Sequence, residues 1–400
     1  MQGAGALGLT PTEFRAYRRA LARTHERRIT VTVLDLDEKV VTEMHPVILD
    51  GQVVVDTTAG KDIPTRLLTL TLLDPRRRIV FEATSVNDAP IHRQYMLRIT
   101  YSVLVTELDR WVGTRVFTGP IWDFDRTGAL VTVVAHGKDR LSLGQAWVQR
   151  AFPAKTKKTT IIRRVLAATG ETRLAIPDLK ASTPRRFSLL RMDQPWVKIR
   201  HLARSMDRTL FYDGRGIAVL RPRSNRPVFT FPREMQLSDV TIDRDPEGIL
   251  NTFQYLGGKP KGSKKRVQSD VFTLPPAHPN SPRSLGRKNS PLRLVWREEN
   301  DQVKTKAEAN RRARRKRDDA LRTSVEISVD VLPVPILDEG DLVRVPTDTG
   351  VYLVRANTWT LPLGIEGDPP MTLGAVRRTT AARSGRANKK RRRNQRGNAA

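Results

Sequence analysis

Short runs in which apolar and polar residues alternate recur through the first third of the sequence. The run 29–34 is a regular example, and 66–73 repeats the pattern before a turn at Asp74-Pro75. Because successive side chains of a β-strand point to opposite faces, such alternation predicts half-buried strands. Short strands at regular spacing predict a closed or sandwiched antiparallel sheet over residues 29–140. The strand candidates are 29–34, 40–41, 52–55, 66–73, 79–82, 96–108, 115–117, 121–124 and 130–135.

A helical pattern replaces this alternation after residue 145. Apolar residues from Ile162 to Thr169 line one side of a helix that Thr159 or Thr160 caps and Gly170 ends. A second helix follows Pro195, which pre-sets its first turn, with Asp193 as a capping residue. Spacings of three and four place its apolar residues on one stripe: Trp196, Ile199, Leu202, Ala203 and Met206.

A tight turn at 213–216 separates the apolar runs 210–212 and 217–220, which predicts a β-hairpin. Helices and hairpin together predict a small α+β module over residues 145–222. We expect Trp196, Leu202 and Met206 in its core.

Strand patterns resume after residue 222. We predict a second β domain over 223–375, with a helix at 302–321 inserted between its strands. We also expect Asn251 to fix the turn into the strand candidate 251–256. The segment 257–292 is rich in Gly, Pro, Ser and basic residues and is longer than most loops, which indicates a functional or disordered loop. The strand candidates are 228–231, 239–242, 251–256, 292–296, 325–331, 342–345 and 352–361.

Both ends of the chain are basic. Residues 12–28 lack Gly and Pro and predict a helical arm, 1–28, outside the core. The formal net charge is +29, and no acidic residue follows Asp368. Like charges repel one another, so the segment 376–400 is predicted to be a disordered tail. A second basic cluster lies in the predicted helix, at Arg311, Arg312, Arg314, Arg315, Lys316 and Arg317.

Several classes of protein are excluded by what the sequence lacks. It contains no cysteine, which excludes disulfide scaffolds, cysteine-ligated zinc and cysteine nucleophiles. No run approaches the roughly 18 apolar residues of a membrane span, and 1–9 lacks a basic n-region. We therefore expect neither a membrane anchor nor a secretory signal.

Catalytic and metal-binding motifs are incomplete. His25-Glu26 lacks the second histidine of a zinc protease, and the calcium-like run from Asp243 has Gln254 where a bidentate Glu belongs. Gly257 to Lys264 lacks the final Gly-Lys-Ser/Thr of a phosphate loop. The pair Asp123 and Asp125 is explained by a neighbouring turn. We expect a non-enzymatic protein with no cofactor and no metal.

The basic segments have two functional interpretations and one that requires no function. They bind a polyanion through phosphate contacts, or they dock onto acidic neighbours; general solubility is the alternative without a function. No aromatic residue is interleaved with the arginines in sequence, which argues against base stacking. The candidate contacts are Arg311, Arg312, Arg314, Arg315, Lys389, Lys390, Arg391, Arg392 and Arg393.

Four segments occur in a characteristic order along the chain: Phe117-Thr118-Gly119-Pro120-Ile121-Trp122, Ile199-Arg200-His201-Leu202-Ala203 with Leu220-Arg221-Pro222, Asp245-Pro246-Glu247-Gly248-Ile249-Leu250-Asn251, and Leu337-Asp338-Glu339-Gly340-Asp341-Leu342-Val343. Their order resembles the late-control-type tail or baseplate hub proteins of long-tailed bacteriophages, whose siphophage members are often labelled minor tail proteins. The resemblance covers 29–375.

This resemblance implies two tail-tube-like β-barrels, 29–140 and 223–375, in a homotrimer that imitates a six-fold tube ring. It further implies a structural hub at the tail tip of the virion, assembled in the host cytoplasm. The implied partners are distal tail and tube proteins, the tape-measure protein and other tip proteins, with DNA passing through. The alternative hypothesis, based on charge alone, is a non-enzymatic nucleic-acid-binding protein.

Overall fold

The computed structural model describes most of the chain, and every structural statement below concerns that part. It covers residues 2–44, 47–57, 65–75, 79, 94–142, 150–191, 193–222, 226–243, 250–260, 262, 265–278, 280–287, 289–301, 303–320, 326–348, 350–364 and 371–378. Residues 379–400 of the predicted tail, most of the predicted strand 79–82 and the run 244–249 lie outside these residues, whereas residues 376–378, predicted to be disordered, belong to a strand.

The protein is mainly β, with 44% of residues in strands against 21% in helices, which confirms the predicted class. The helices are α1 (Pro11–Leu21), α2 (Lys158–Ala167), α3 (Pro195–Arg204), α4 (Pro282–Leu285) and α5 (Lys306–Ala320). The strands are β1 (Arg27–Asp35), β2 (Val40–Met44), β3 (Val47–Asp56), β4 (Arg66–Leu73), β5 (Tyr95–Val105), β6 (Arg110–Thr127), β7 (Leu130–His136), β8 (Arg150–Phe152), β9 (Leu174–Ala175), β10 (Phe187–Leu189), β11 (Arg208–Tyr212), β12 (Ala218–Pro222), β13 (Phe229–Thr230), β14 (Thr241–Asp243), β15 (Thr252–Gly257), β16 (Phe272–Thr273), β17 (Val295–Asn300), β18 (Glu326–Val331), β19 (Leu342–Thr347), β20 (Gly350–Pro362) and β21 (Met371–Arg378).

Two compact units divide the chain. The first contains 1–240, 329–348 and 355–374, and the second contains 241–328, 349–354 and 375–400. The predicted domain boundaries stay predictions.

A large sheet forms the frame of the first unit. Its strands follow the order β20-β3-β4-β7-β6-β5-β1-β2, and each neighbouring pair in this path is antiparallel. Residues in β4 are alternately buried and half-buried, as the sequence predicts, and β4 has its predicted limits of 66–73. No pairing among the described strands closes this path, so the two-barrel layout stays a prediction. β21 was not predicted from the sequence, which placed the last strand at 352–361.

Helix α1 belongs to the core of the first unit, so the prediction of a free arm is wrong. Tyr17 and Leu21 have no exposed surface. The Tyr17 hydroxyl lies 2.8 Å from the Thr114 hydroxyl in β6, and both residues are buried. The helix is also shorter than predicted, because residues from Arg27 onward pair with β5 as strand β1.

Two helices and several short strands of the first unit lie within 150–191 and 193–222, which we call the α+β module; its predicted bounds, 145–222, stay a prediction. Helices α2 and α3 share an apolar core with the hairpin β11–β12, and the Trp196 ring stacks on Tyr212 with centroids 5.1 Å apart. Trp196 and Leu202 are buried, and Met206 is partly buried against the same core. Asp193 does not cap α3. Its carboxylate accepts a hydrogen bond from the Leu190 amide, and Gln194 occupies the cap position.

The turn of this hairpin needs its glycines. A side chain on Gly214 would lie 2.2 Å from the Arg115 carbonyl oxygen of β6, and Gly216 has a φ of +75°. The close approach lets the Thr118 hydroxyl donate to the Gly214 carbonyl at 3.0 Å. The hairpin is thereby fixed to the large sheet.

The second unit contains the sheet β16-β15-β17 with helix α5 packed on one face. Asn251 fixes the start of β15, as predicted. Its side chain donates to the Leu292 carbonyl at 2.9 Å and accepts from the Leu294 amide at 2.9 Å. The segment 257–292 is partly regular, because it contributes β16 and α4.

Tyr17 tests whether α1 stabilises the first unit. Tyr17→Ala removes a fully buried aromatic ring and should lower the free energy of unfolding by about 3–5 kcal/mol. Tyr17→Phe should cost about 1–2 kcal/mol, because it leaves the buried Thr114 hydroxyl without this partner. Arg15→Ala, on the exposed side of the same helix, is the control and should change stability little. Denaturant titration measures all three; equal effects for Tyr17→Ala and the control would show that α1 is a dispensable arm.

Asn251 gives a matched test for the second unit. Asn251→Ala removes the hydrogen bonds of this buried side chain to the Leu292 carbonyl and the Leu294 amide, at a cost of about 2 kcal/mol. Amide hydrogen exchange should accelerate in β15 and β17. Asn289→Ala, at an exposed position, should leave exchange unchanged. Unaltered protection of β15 in Asn251→Ala would contradict the assigned role.

Candidate interaction surfaces

Cationic side chains of α5 lie over aromatic rings of the sheet beneath it. The Arg312 guanidinium lies 5.3 Å from the Tyr255 ring centroid and donates a 2.7 Å hydrogen bond to its hydroxyl. Arg314 lies 5.1 Å from Phe272, and Lys316 lies 5.5 Å from Trp296. These distances are within the range of cation–π attraction.

The helix packs closely enough to make these contacts because small residues face the sheet. Ala309 and Ala313 are fully buried and belong to one apolar cluster with Tyr255. Burial raises the pKa of Tyr255, although the Arg312 charge opposes the shift. Four cations of the predicted cluster thus contact rings: Arg312, Arg314, Lys316 and Arg317.

The outer side of α5 is also basic. Arg311 and Arg315 are exposed and lie four residues apart on this side, and Arg314 is exposed at its margin, where it also lies over the Phe272 ring. The tail residues Lys389 to Arg393 lie outside the described residues, so their role stays a prediction.

The sequence did not reveal that aromatic residues lie beside the arginines. Tyr255, Phe272 and Trp296 are remote from the cluster in sequence, and only folding brings them under α5. The cations and the helix cover these rings. They are therefore part of the packing of the second unit and offer no open platform for a base.

A buried ionic junction lies in the first unit and was not predicted. We define it as three arginines, Arg66, Arg200 and Arg221, facing three acidic residues of the turn 338–341. Arg66 lies 3.8 Å from Asp338, Arg200 lies 3.2 Å from Glu339, and Arg221 lies 2.8 Å from Asp341. The junction joins β4, helix α3 and strand β12 to the turn that leads into β19.

Burial dominates the electrostatics of this junction. Arg66 is 3% exposed, and the acidic residues are 4% (Asp338), 3% (Glu339) and 2% (Asp341) exposed. Burial lowers the pKa of Arg66, against the charges of Asp338 and Asp213. Burial raises the pKa of Glu339, against the Arg200 charge. An unpaired charge at this depth is costly, so each member depends on its partner.

A second ionic cluster fixes the β1–β2 turn to the α+β module. Glu38, in the left-handed region with φ of 65°, contacts both Lys138 and Arg173. Lys138 also lies 2.6 Å from Glu171. Burial alone would raise the pKa of Glu38, but Lys138 and Arg173 together hold it below its ordinary value.

The candidates for chemistry are not brought together. The pair Asp123 and Asp125 is exposed, and residues 244–249 of the calcium-like run lie outside the described residues. Among the described residues, no three His, Cys, Asp or Glu side chains are grouped so that they could hold a metal ion. In that same part of the chain, no helix is long and apolar enough to cross a membrane.

The Arg221–Asp341 pair tests how much the buried junction contributes. Arg221→Ala leaves the Asp341 carboxylate buried without this cation and should lower the free energy of unfolding by about 3 kcal/mol. Arg19→Ala is the matched control, because the Arg19–Glu107 pair has exposed side chains, and it should cost at most about 1 kcal/mol. Denaturant titration compares the two variants. Equal costs would show that the junction contributes no more than a surface pair.

Solved structures of phage tail proteins share this fold. A 43 kDa tail protein of prophage MuSo2 from Shewanella oneidensis matches with a TM-score of 0.60 and 14% identity, over 88% of this chain and 99% of that one. A tail protein from Neisseria meningitidis MC58 matches with a TM-score of 0.58 and 12% identity, over 88% and 96%. A Francisella PdpA-VgrG complex matches with a TM-score of 0.52 and 9% identity, over 93% and 62%.

No protein-family model matches the chain, and no curated protein sequence matches it. At identities this low, the similarity concerns the fold. The matches nevertheless extend over almost the whole length of both tail proteins. The chain therefore has the fold of these phage tail proteins, as its sequence resemblance predicted.

Proposed function

We propose that this chain is a structural, non-enzymatic hub protein of a phage tail. It forms a homotrimeric ring at the tail tip, where it joins the tail tube to the distal tip proteins. Each chain contributes two tube-like β-barrels, so three chains match the six-fold symmetry of the tube. The ring assembles in the host cytoplasm and becomes part of the virion.

The observation that carries this proposal is the end-to-end match to two tail proteins. It covers 99% of the MuSo2 protein and 96% of the Neisseria protein, so the likeness concerns a whole tail protein and not one shared module.

The buried ionic junction suits a mechanical role. It ties β4, the α+β module and the turn 338–341 together through three buried carboxylates, which pair with the buried Arg66 and the partly exposed Arg200 and Arg221. Such pairs are screened by salt less than surface pairs are. In the hub they keep the first unit rigid while the tape-measure protein or DNA occupies the lumen.

The assembly state tests the proposal. Native mass spectrometry of the purified protein should give a mass of three chains, and particles from a host that expresses a tagged copy should carry the protein at the tail tip. A reconstruction of the tail at side-chain resolution would locate it. A chain that stays monomeric and never joins virions would disprove the hub role.

A further inference from the structure

We propose that Asp139 is the pH-sensitive element of the buried ionic junction, and that it keeps its proton in the folded protein under conditions in which an exposed aspartate is ionised. Loss of this proton places an unbalanced negative charge beside the junction and loosens the turn 338–341. All the residues concerned belong to the first unit of a single chain. The proposal therefore does not depend on assembly into a ring.

Asp139 is one acidic residue more than the nearby cations can balance. The three acidic residues of the turn 338–341 pair with the three arginines of the junction. Asp213, whose charge also acts on the junction, lies 2.7 Å from Arg215. Among the described residues, no Lys or Arg side chain forms an ion pair with Asp139. The pairing thus leaves one carboxyl group without a cation of its own.

The two oxygens of the Asp139 carboxyl group differ in their surroundings. Oδ2 accepts hydrogen bonds from the Thr65 amide at 2.8 Å and from the Thr65 hydroxyl at 3.0 Å. Oδ1 is buried and has no hydrogen-bond partner in the described part of the chain. A side chain on Gly137 would lie 2.8 Å from Oδ1, so the backbone encloses this oxygen closely. An ionised carboxylate is costly in such a place, whereas a protonated carboxyl group is neutral.

The two arginines that act on Asp139 are already paired with other acids. Arg66 in β4 lies 3.8 Å from Asp338, and Arg200 in α3 lies 3.2 Å from Glu339. Both arginines interact electrostatically with Asp139. Their positive charge is therefore shared, and it does not balance a further carboxylate.

The other titratable groups near Asp139 do not favour its ionisation either. The charge of Asp139 acts on Glu339 in the turn and on Tyr212 in β11. Lys138 precedes Asp139 in the chain, but its amine lies 2.6 Å from Glu171 in the second ionic cluster. Two neighbouring carboxyl groups at low dielectric do not readily ionise together.

Burial sets the sign of the pH dependence. It raises the pKa of Asp139, although the hydrogen bonds from Thr65 and the charge of Arg200 oppose this shift. In the unfolded chain the same group has an ordinary pKa of about 3.9. The stability that the proton contributes is therefore complete below about pH 4, and it is lost as the pH rises towards the pKa of the folded protein.

Asp139→Asn in the full-length protein tests the proposal. Asparagine has the shape of the neutral acid and keeps an oxygen that can accept from Thr65. Urea titrations from about pH 4 to about pH 8 give the unfolding equilibrium constants of both proteins. The ratio of these constants, wild type over variant, should rise by about tenfold per pH unit until Asp139 ionises in the folded protein, because wild type alone releases this proton on unfolding.

Asp213→Asn is the matched control. Asp213 is 2% exposed, against 1% for Asp139, but it is paired with Arg215. The corresponding ratio for this variant should not rise over the same pH range, because a cation balances the charge that the substitution removes.

Two further measurements use the folded protein. The infrared difference spectrum between wild type and Asp139→Asn at about pH 6 should contain the C=O band of a protonated carboxylic acid, since exposed aspartates are ionised there. The Gly340 amide, which donates to the Ala356 carbonyl at 2.9 Å, reports on the turn. Its hydrogen exchange, corrected for the intrinsic effect of pH, should accelerate with pH more in wild type than in Asp139→Asn.

Three results would overturn the proposal. A ratio that stays constant or falls as the pH rises, or the absence of the carboxylic acid band, would show that Asp139 is ionised in the folded protein. Equal pH dependence of Gly340 exchange in the two proteins would show that the proton does not hold the turn. If Asp139→Asn does not fold, wild type labelled with carbon-13 aspartate gives the same infrared test without a variant.

Discussion

The pairing of buried charges around the turn 338–341 is the constraint on which the first unit depends. Each acidic residue of the turn faces an arginine from a different element, and the partners come from β4, α3 and β12. Removing one partner from a buried pair leaves an unpaired charge, at a cost of about 3–5 kcal/mol. The position of the turn therefore depends on all three of these elements.

In the second unit, the charged side chains concerned are the cations of helix α5. Burying them against an apolar sheet would remove them from water at a cost in free energy, and α5 instead contacts the sheet through two buried alanines. The cations at the margins of that contact lie over aromatic rings, so their charge contributes to packing. The remaining arginines are left on the solvent side. One helix thus serves both as a structural element and as a charged surface.

Local patterns predicted most of the secondary structure of this chain. β4 has its predicted limits, the hairpin β11–β12 was expected from its turn, and Asn251 was expected to fix the start of β15. Two predictions from local patterns were wrong, one for the length of α1 and one for the cap of α3. α1 was extended over 12–28 because those residues lack Gly and Pro, whereas pairing with β5 takes Arg27 into a strand. Similarly, Asp193 has the right side chain for a cap, but its carboxylate bonds to the Leu190 amide.

The sequence by itself determined the mainly β class, the helix–hairpin module and the strongly basic character of the chain, because periodicity, turn chemistry and net charge are local or additive properties. Only the tertiary structure decided which charges are buried and which rings the arginines cover. The sequence of the turn 338–341 is typical of an exposed turn, because it contains three acidic residues, Asp338, Glu339 and Asp341. Their burial depends on distant partners, such as Arg221, which is 120 residues away from Asp341. Whether a charged side chain is solvated or paired depends on which residues the folded chain places next to it.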